Sequence, residues 1–201
     1  VLPFVLPMLN SCRFFLLLTI CWGCLCTTAT AGKFNLVVID AGHGAQDQGA
    51  RFGYVYEKHL ALDVARRLER YLNGQGIKTT LTRTTDVFIP LEDRAAAANN
   101  ANDCIFVSIH FNMVDYAGPR GVETWYYNQE GASLAAYVQA SIVNGLHTVS
   151  RGAKFARFKV LRTCTKPAVL VEGGFISTDE DLKRCLDPKY RESLAESIAQ
   201  G

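Results

Sequence analysis

The chain has 201 residues, 49% hydrophobic and 20% charged, with 21 Lys and Arg against 19 Asp and Glu. That length and apolar content suit one domain with a sizeable core and exclude a disordered or collagen-like chain. A net charge of +2 argues against nucleic acid as the main partner, because phosphate neutralisation needs a basic face that this balance does not supply. Residues 1–31 carry one charge, Arg13, followed by an apolar run from Phe14 to Cys26 and the small residues Thr27 to Ala31. This is the layout of an export signal cleaved after Ala31, and the apolar run is too short to cross roughly 30 Å of hydrocarbon as a helix. The expectation is a signal peptide or membrane-targeting leader over 1–31 and a single domain over 32–201. The domain is then exported, with the leader as the route to any membrane attachment. Four of the seven cysteines (Cys12, Cys21, Cys24, Cys26) fall in the leader and read as apolar filler; Cys104, Cys164 and Cys185 allow at most one disulfide.

From Gly32 onward, β-branched runs alternate with helical periods. Strands are expected over Asn35–Asp40, Ile77–Arg83, Cys104–Phe111, Val122–Tyr127 and Ala168–Glu172. Leu60, Val64, Leu68 and Leu72, with Ala61 and Ala65, form a helix stripe ended by Asn73-Gly74. Further helices are expected from Pro90 to about Ala101, Ala132 to Leu146 and Pro188 to Gln200. The alternation implies an α/β sheet covered by helices, with sites beyond the carboxyl ends of its strands.

The first strand runs into Asp40-Ala41-Gly42-His43-Gly44, followed by Gly49. Neither nucleotide-binding pattern fits: Asp47 stands where a dinucleotide fingerprint needs its third Gly, and Ala50-Arg51 where a P-loop needs Lys and Ser or Thr. What remains is His43 between two glycines on a loop leaving a strand. His110 follows the run Cys104–Ile109, Glu57 opens the striped helix, and Glu172 closes Pro167–Val171 before Gly173-Gly174. Two imidazoles and one carboxylate with an open fourth position make a catalytic zinc set, and the second carboxylate then serves as general base. On spacing alone, Glu57 is equally readable as a helix-start charge and Glu172 as a buried ion-pair partner.

Val37–Gly44, Glu57-Lys58, Thr82-Arg83, Arg94 with Ala98-Asn99, Ser108-Ile109-His110, Gly121–Thr124, and Leu161-Arg162 with Pro167–Ser177 occur in this order. Together they resemble the zinc-dependent N-acetylmuramoyl-L-alanine amidase family over nearly all of residues 35–200. The resemblance implies a mixed twisted sheet of about six strands flanked by helices. It also implies one Zn2+ held by His43, Glu57 and His110, with Glu172 as catalytic base. The implied reaction is hydrolysis of the amide between N-acetylmuramic acid and the L-alanine of a stem peptide, with peptidoglycan as partner, in cell-wall remodelling or cell division. The competing readings are a zinc peptidase cutting another stem-peptide bond and a non-catalytic wall-binding scaffold.

Two departures from the family pattern bear on substrate fit. Phe111-Asn112-Met113 replaces the usual Ala-Asn-Ala, and Thr178 stands where Asn is usual. The residues from 111 to 171 are too few for an insertion that plugs the site, so an activator is not expected to be required. Between Gly131 and Val171 there is no acidic residue, while Arg151, Lys154, Arg157, Lys159, Arg162 and Lys166 are cationic. Asn112, Arg157, Lys159 and Arg162 are the expected substrate contacts, the cations meeting stem-peptide carboxylates. Asp40 is a candidate to orient a ligand histidine, and Trp125, Tyr126 and Tyr127 read as core or edge packing.

Overall fold

The computed structural model describes residues 34–115 and 118–201, so the expected leader lies outside the described residues. Six strands form one sheet: β1 (Leu36–Ala41), β4 (Lys78–Leu81), β5 (Cys104–Asn112), β6 (Val122–Tyr126), β7 (Ser150–Phe155) and β8 (Ala168–Phe175). Their order is β4-β1-β5-β8-β6-β7. The first four run parallel, β6 is antiparallel to β8, and β7 is parallel to β6. This is the mixed α/β sheet the sequence implies. A short hairpin, β2 (Arg51–Phe52) with β3 (Val55–Tyr56), leads directly into helix α1 (Glu57–Gly74).

Strand residues alternate between two faces, and the sequence assigns each face a different core. Val37, Ile39, Val107, Ile109, Val169 and Val171 face the larger core. That core also takes the α1 stripe of Leu60, Val64, Leu68 and Leu72, with apolar residues of α3 (Gln129–Leu146) and α6 (Pro188–Gln200). Val38, Phe106, Ala168 and Leu170 face a smaller core closed by Ala95 and Ala98 of α2 (Leu91–Asn99) and by Val160 and Leu161 of α4 (Lys159–Thr163). Helix α5 (Asp179–Leu186) adds Cys185 to the larger core. Burying each of the Val, Ile, Leu and Phe side chains contributes roughly 1.5–3 kcal/mol relative to leaving it in water.

Three outcomes differ from the sequence reading. The strand Ser150–Phe155 was not foreseen, because Ser-Arg-Gly-Ala-Lys-Phe contains no β-branched run and lies at the sheet edge. The short helices α4 and α5 were likewise not foreseen. His110 and Glu172 are not strand-terminal: β5 continues to Asn112 and β8 continues through Gly173-Gly174 to Phe175. Cys104, Cys164 and Cys185 are all buried free thiols.

Candidate metal centre and cleft

The functional face follows from the same alternation. Ser108, His110 and Asn112 on β5, Leu170 and Glu172 on β8, and Glu123 on β6 all fall on the side of the smaller core. His110 and Glu172 are register partners, as are Glu172 and Glu123. Past the last apolar residues of that core a cleft of about 470 Å³ opens, lined by His43, Glu57, His110, Asn112, Lys159 and Glu172, with Leu91 and Phe158 as apolar walls.

Ligand atoms of His43, Glu57 and His110 converge within 4.8 Å of one another. Two imidazoles and a carboxylate are the donor chemistry that holds zinc with a position left for substrate. The Glu57 carboxylate bridges the two rings, its Oε1 2.7 Å from His110 Nδ1 and its Oε2 3.1 Å from His43 Nε2. Backbone amides of Phe111 (3.0 Å) and Ala50 (2.7 Å) also donate to it. Burial opposes ionisation of Glu57, but the hydrogen bonds and charges of His110 and His43 prevail and hold its carboxyl well below the usual range. His43 is affected the opposite way: burial disfavours its charged form, and Glu57 and Asp47 outweigh that and raise its pKa.

Backbone geometry sets these rings. His43 adopts φ 61°, the left-handed region where a non-glycine residue is strained. Its carbonyl accepts from Arg94 Nη2 at 2.8 Å, and its Nδ1 donates to Asp47 Oδ1 at 2.9 Å. The His110 ring lies over Gly42, where a Cβ would come within 2.4 Å of it. A Cβ on Gly49, at φ 66°, would meet Glu57 Oε2 at 2.5 Å. These glycines are therefore fixed by close approach.

Glu172 stands beside the cluster with its Oε2 buried and without a hydrogen-bond partner. Burial first, then the charges of Glu57 and Glu123, push its carboxyl well above the ordinary range. An unpaired carboxyl with a raised pKa in a cleft is suited to accepting and returning a proton.

The other expected site residues divide. Asn112 and Lys159 line the cleft, Lys159 in an ion pair with Glu92 of α2. Arg157 lies 5.9 Å over the Tyr127 ring and Arg162 is exposed on α4; neither lines the cleft. Asp40 does not orient a histidine. It accepts from Thr82 Oγ1 and Ser108 Oγ, each at 2.7 Å, and from Arg94 Nη1 at 2.8 Å. Asp47 takes the orienting role, and its position four residues after His43, within one glycine loop, was the signal available in the sequence. Glu123 and the two cations on it, Arg151 and Lys154, were also missed as a unit.

Residues 37–201 match the family model described as N-acetylmuramoyl-L-alanine amidase. The amidase LytC of Bacillus subtilis is 36% identical over 169 residues, 82% of this chain and 34% of LytC. The sporulation-specific N-acetylmuramoyl-L-alanine amidase of the same organism is 36% identical over 170 residues, 82% of this chain and 66% of that protein. The chain thus spans only a third to two thirds of the length of these relatives. Among solved structures, an N-acetylmuramoyl-L-alanine amidase from Clostridium difficile 630 superposes with a TM-score of 0.80 at 37% identity, covering 84% of this chain and 94% of that one. The CwlD amidase from Clostridioides difficile, solved in complex with the GerS lipoprotein, gives a TM-score of 0.79 at 27% identity, covering 83% and 95%.

Proposed function

The chain belongs to the N-acetylmuramoyl-L-alanine amidase family, and from that premise we propose that it hydrolyses the amide between N-acetylmuramic acid and L-alanine in peptidoglycan. The observation that carries this reading is the convergence of His43, Glu57 and His110 beside an unpartnered Glu172 in one cleft. His43, Glu57 and His110 hold one zinc ion. When bound, zinc supplies Lewis acidity toward water and a carbonyl oxygen.

Glu172 is the general base. Its Oε2 takes a proton from the attacking water and delivers it to the departing L-alanine nitrogen, so one residue serves both halves of the reaction. The raised pKa assists the second half, because the carboxyl keeps the proton long enough to hand it on. Asp47 on His43 Nδ1 and the two backbone amides on Glu57 keep the donor atoms aimed, a role that outer partners commonly play around a metal. Leu91 and Phe158 supply apolar walls to the cleft.

In this reading residues 1–31 direct export, the enzyme works in the periplasm or cell envelope during wall remodelling or division, and no activator is required. Lys159 at the rim, with Arg157 and Arg162 beyond it, attracts stem-peptide carboxylates. The test of the base is Glu172→Ala in the full chain: zinc content is expected to match wild type while turnover of peptidoglycan falls below detection. Turnover at the wild-type rate would remove Glu172 from the mechanism.

A further inference from the structure

One buried carboxylate beside the cleft is neither a member of the metal cluster nor the carrier of the transferred proton. Glu123 on β6 is 2% exposed and stands opposite Glu172 in antiparallel register. Its Oε2 accepts from Arg151 Nε at 2.8 Å and Lys154 Nζ at 2.7 Å, and its Oε1 from Asn112 Nδ2 at 2.9 Å. Both cations are anchored a second time, Arg151 4.9 Å over the Phe175 ring and Lys154 5.0 Å over Trp125. A carboxylate in this place costs desolvation that an apolar residue would avoid, so its value lies in what it holds.

The third donor is the informative one. Asn112 is the single side-chain amide lining the cleft among the described residues. Its orientation is set from both ends: Oδ1 accepts from the Met113 N–H at 2.8 Å, and Nδ2 must face an acceptor, which Glu123 provides. One N–H of that amide has no partner among the described residues.

We propose that Asn112 positions substrate by donating this N–H to a carbonyl or hydroxyl oxygen of the muramyl peptide, and that Glu123, braced by Arg151 and Lys154, is the positioning residue that aims it. The proposal rests on the amidase reading above. Without Glu123 the amide is held only at Oδ1 by the Met113 N–H, so its NH2 is no longer fixed toward the substrate oxygen.

The test is steady-state kinetics of the full chain on soluble disaccharide-peptide muropeptides, with zinc content measured alongside. Asn112→Ala and Glu123→Leu are each expected to lower kcat/KM about 10- to 100-fold, the range for a lost positioning contact. The double variant is expected to be no worse than the poorer single, with zinc content unchanged in all three. Glu123→Gln, which keeps the size, is also expected to lose rate: its oxygen stays with the two cations, so its NH2 meets the Asn112 NH2. This variant keeps the proposal testable if Glu123→Leu fails to fold. Wild-type kcat/KM in Asn112→Ala, losses that multiply in the double variant, or loss of zinc in step with rate would overturn the positioning role alone. Absence of wild-type stem-peptide release from any muropeptide would overturn it together with the amidase reading.

Discussion

Glu172 meets two opposed demands, since the burial that tunes it for proton transfer also makes its ionisation costly. Its carboxyl is held well above the ordinary range by burial, then by Glu57 and Glu123. Between the ordinary carboxylate pKa and that raised value, the unfolded chain has released a proton that the folded chain keeps. Stability from this residue is therefore full at low pH and falls as pH rises. In chelator-treated protein, Glu172→Gln is expected to raise the melting temperature by roughly 2–4 °C at pH 8, the shift that about 1 kcal/mol produces in a domain of this size. The gain should vanish near pH 4, and a lower melting temperature for the variant at pH 8 would contradict it. The positions of His43, Glu57, His110 and Glu172 were legible because each lies in the C-terminal half of a strand, just after one, or at a helix start in a layered fold. Their partners were less so: Asp40, the nearest acidic residue before His43, bonds Ser108 of β5 instead, and Asp47, whose spacing within the glycine loop was visible, reaches the ring because that loop folds back on Gly44.

At the scale of elements, the metal loop is held to the sheet by two buried guanidiniums: Arg83, which donates to the carbonyls of Ala41 and Gly42, and Arg94. Arg94 on α2 donates to Asp40, to the carbonyls of Ala41 and His43, and to Ile89. Arg94 and Asp40 are 2% and 1% exposed. Removing one partner of such a pair leaves an uncompensated charge and costs about 3–5 kcal/mol. Arg94→Leu is expected to lose that much in urea unfolding and to lower zinc affinity, since the His43 carbonyl is then released. A loss under 1 kcal/mol with wild-type zinc affinity would contradict this account. The strands of both cores were readable from their β-branched alternation, and α1 from its four-residue stripe. Strand β7 was not, since an edge strand with one face toward solvent and a glycine in its middle leaves no apolar pattern.

Over the whole molecule, the basic run from Arg151 to Lys166 has no counter-charges nearby in sequence, yet the fold brings them from elsewhere. Glu123 takes Arg151 and Lys154, and Glu92 takes Lys159. Sequence could locate this charge but not divide it between structure and solvent, because the division depends on which distant strand and helix lie alongside. Arg157 and Arg162 are exposed and do not line the cleft, so under the proposed function they act on an anionic substrate through the field. Reversing both to Glu is expected to lower kcat/KM several-fold at low ionic strength. The difference should fade toward 1 M salt, where the screening length is about 3 Å; a salt-independent loss would instead indicate direct contact. The central claim concerns which bond is cut, and it is tested most directly by digesting purified peptidoglycan with the full chain, with and without a chelator, and weighing the products. The account predicts intact stem peptides beginning at L-alanine, released only when zinc is present. Shortened peptides still attached to sugar, or release undiminished by the chelator, would contradict it.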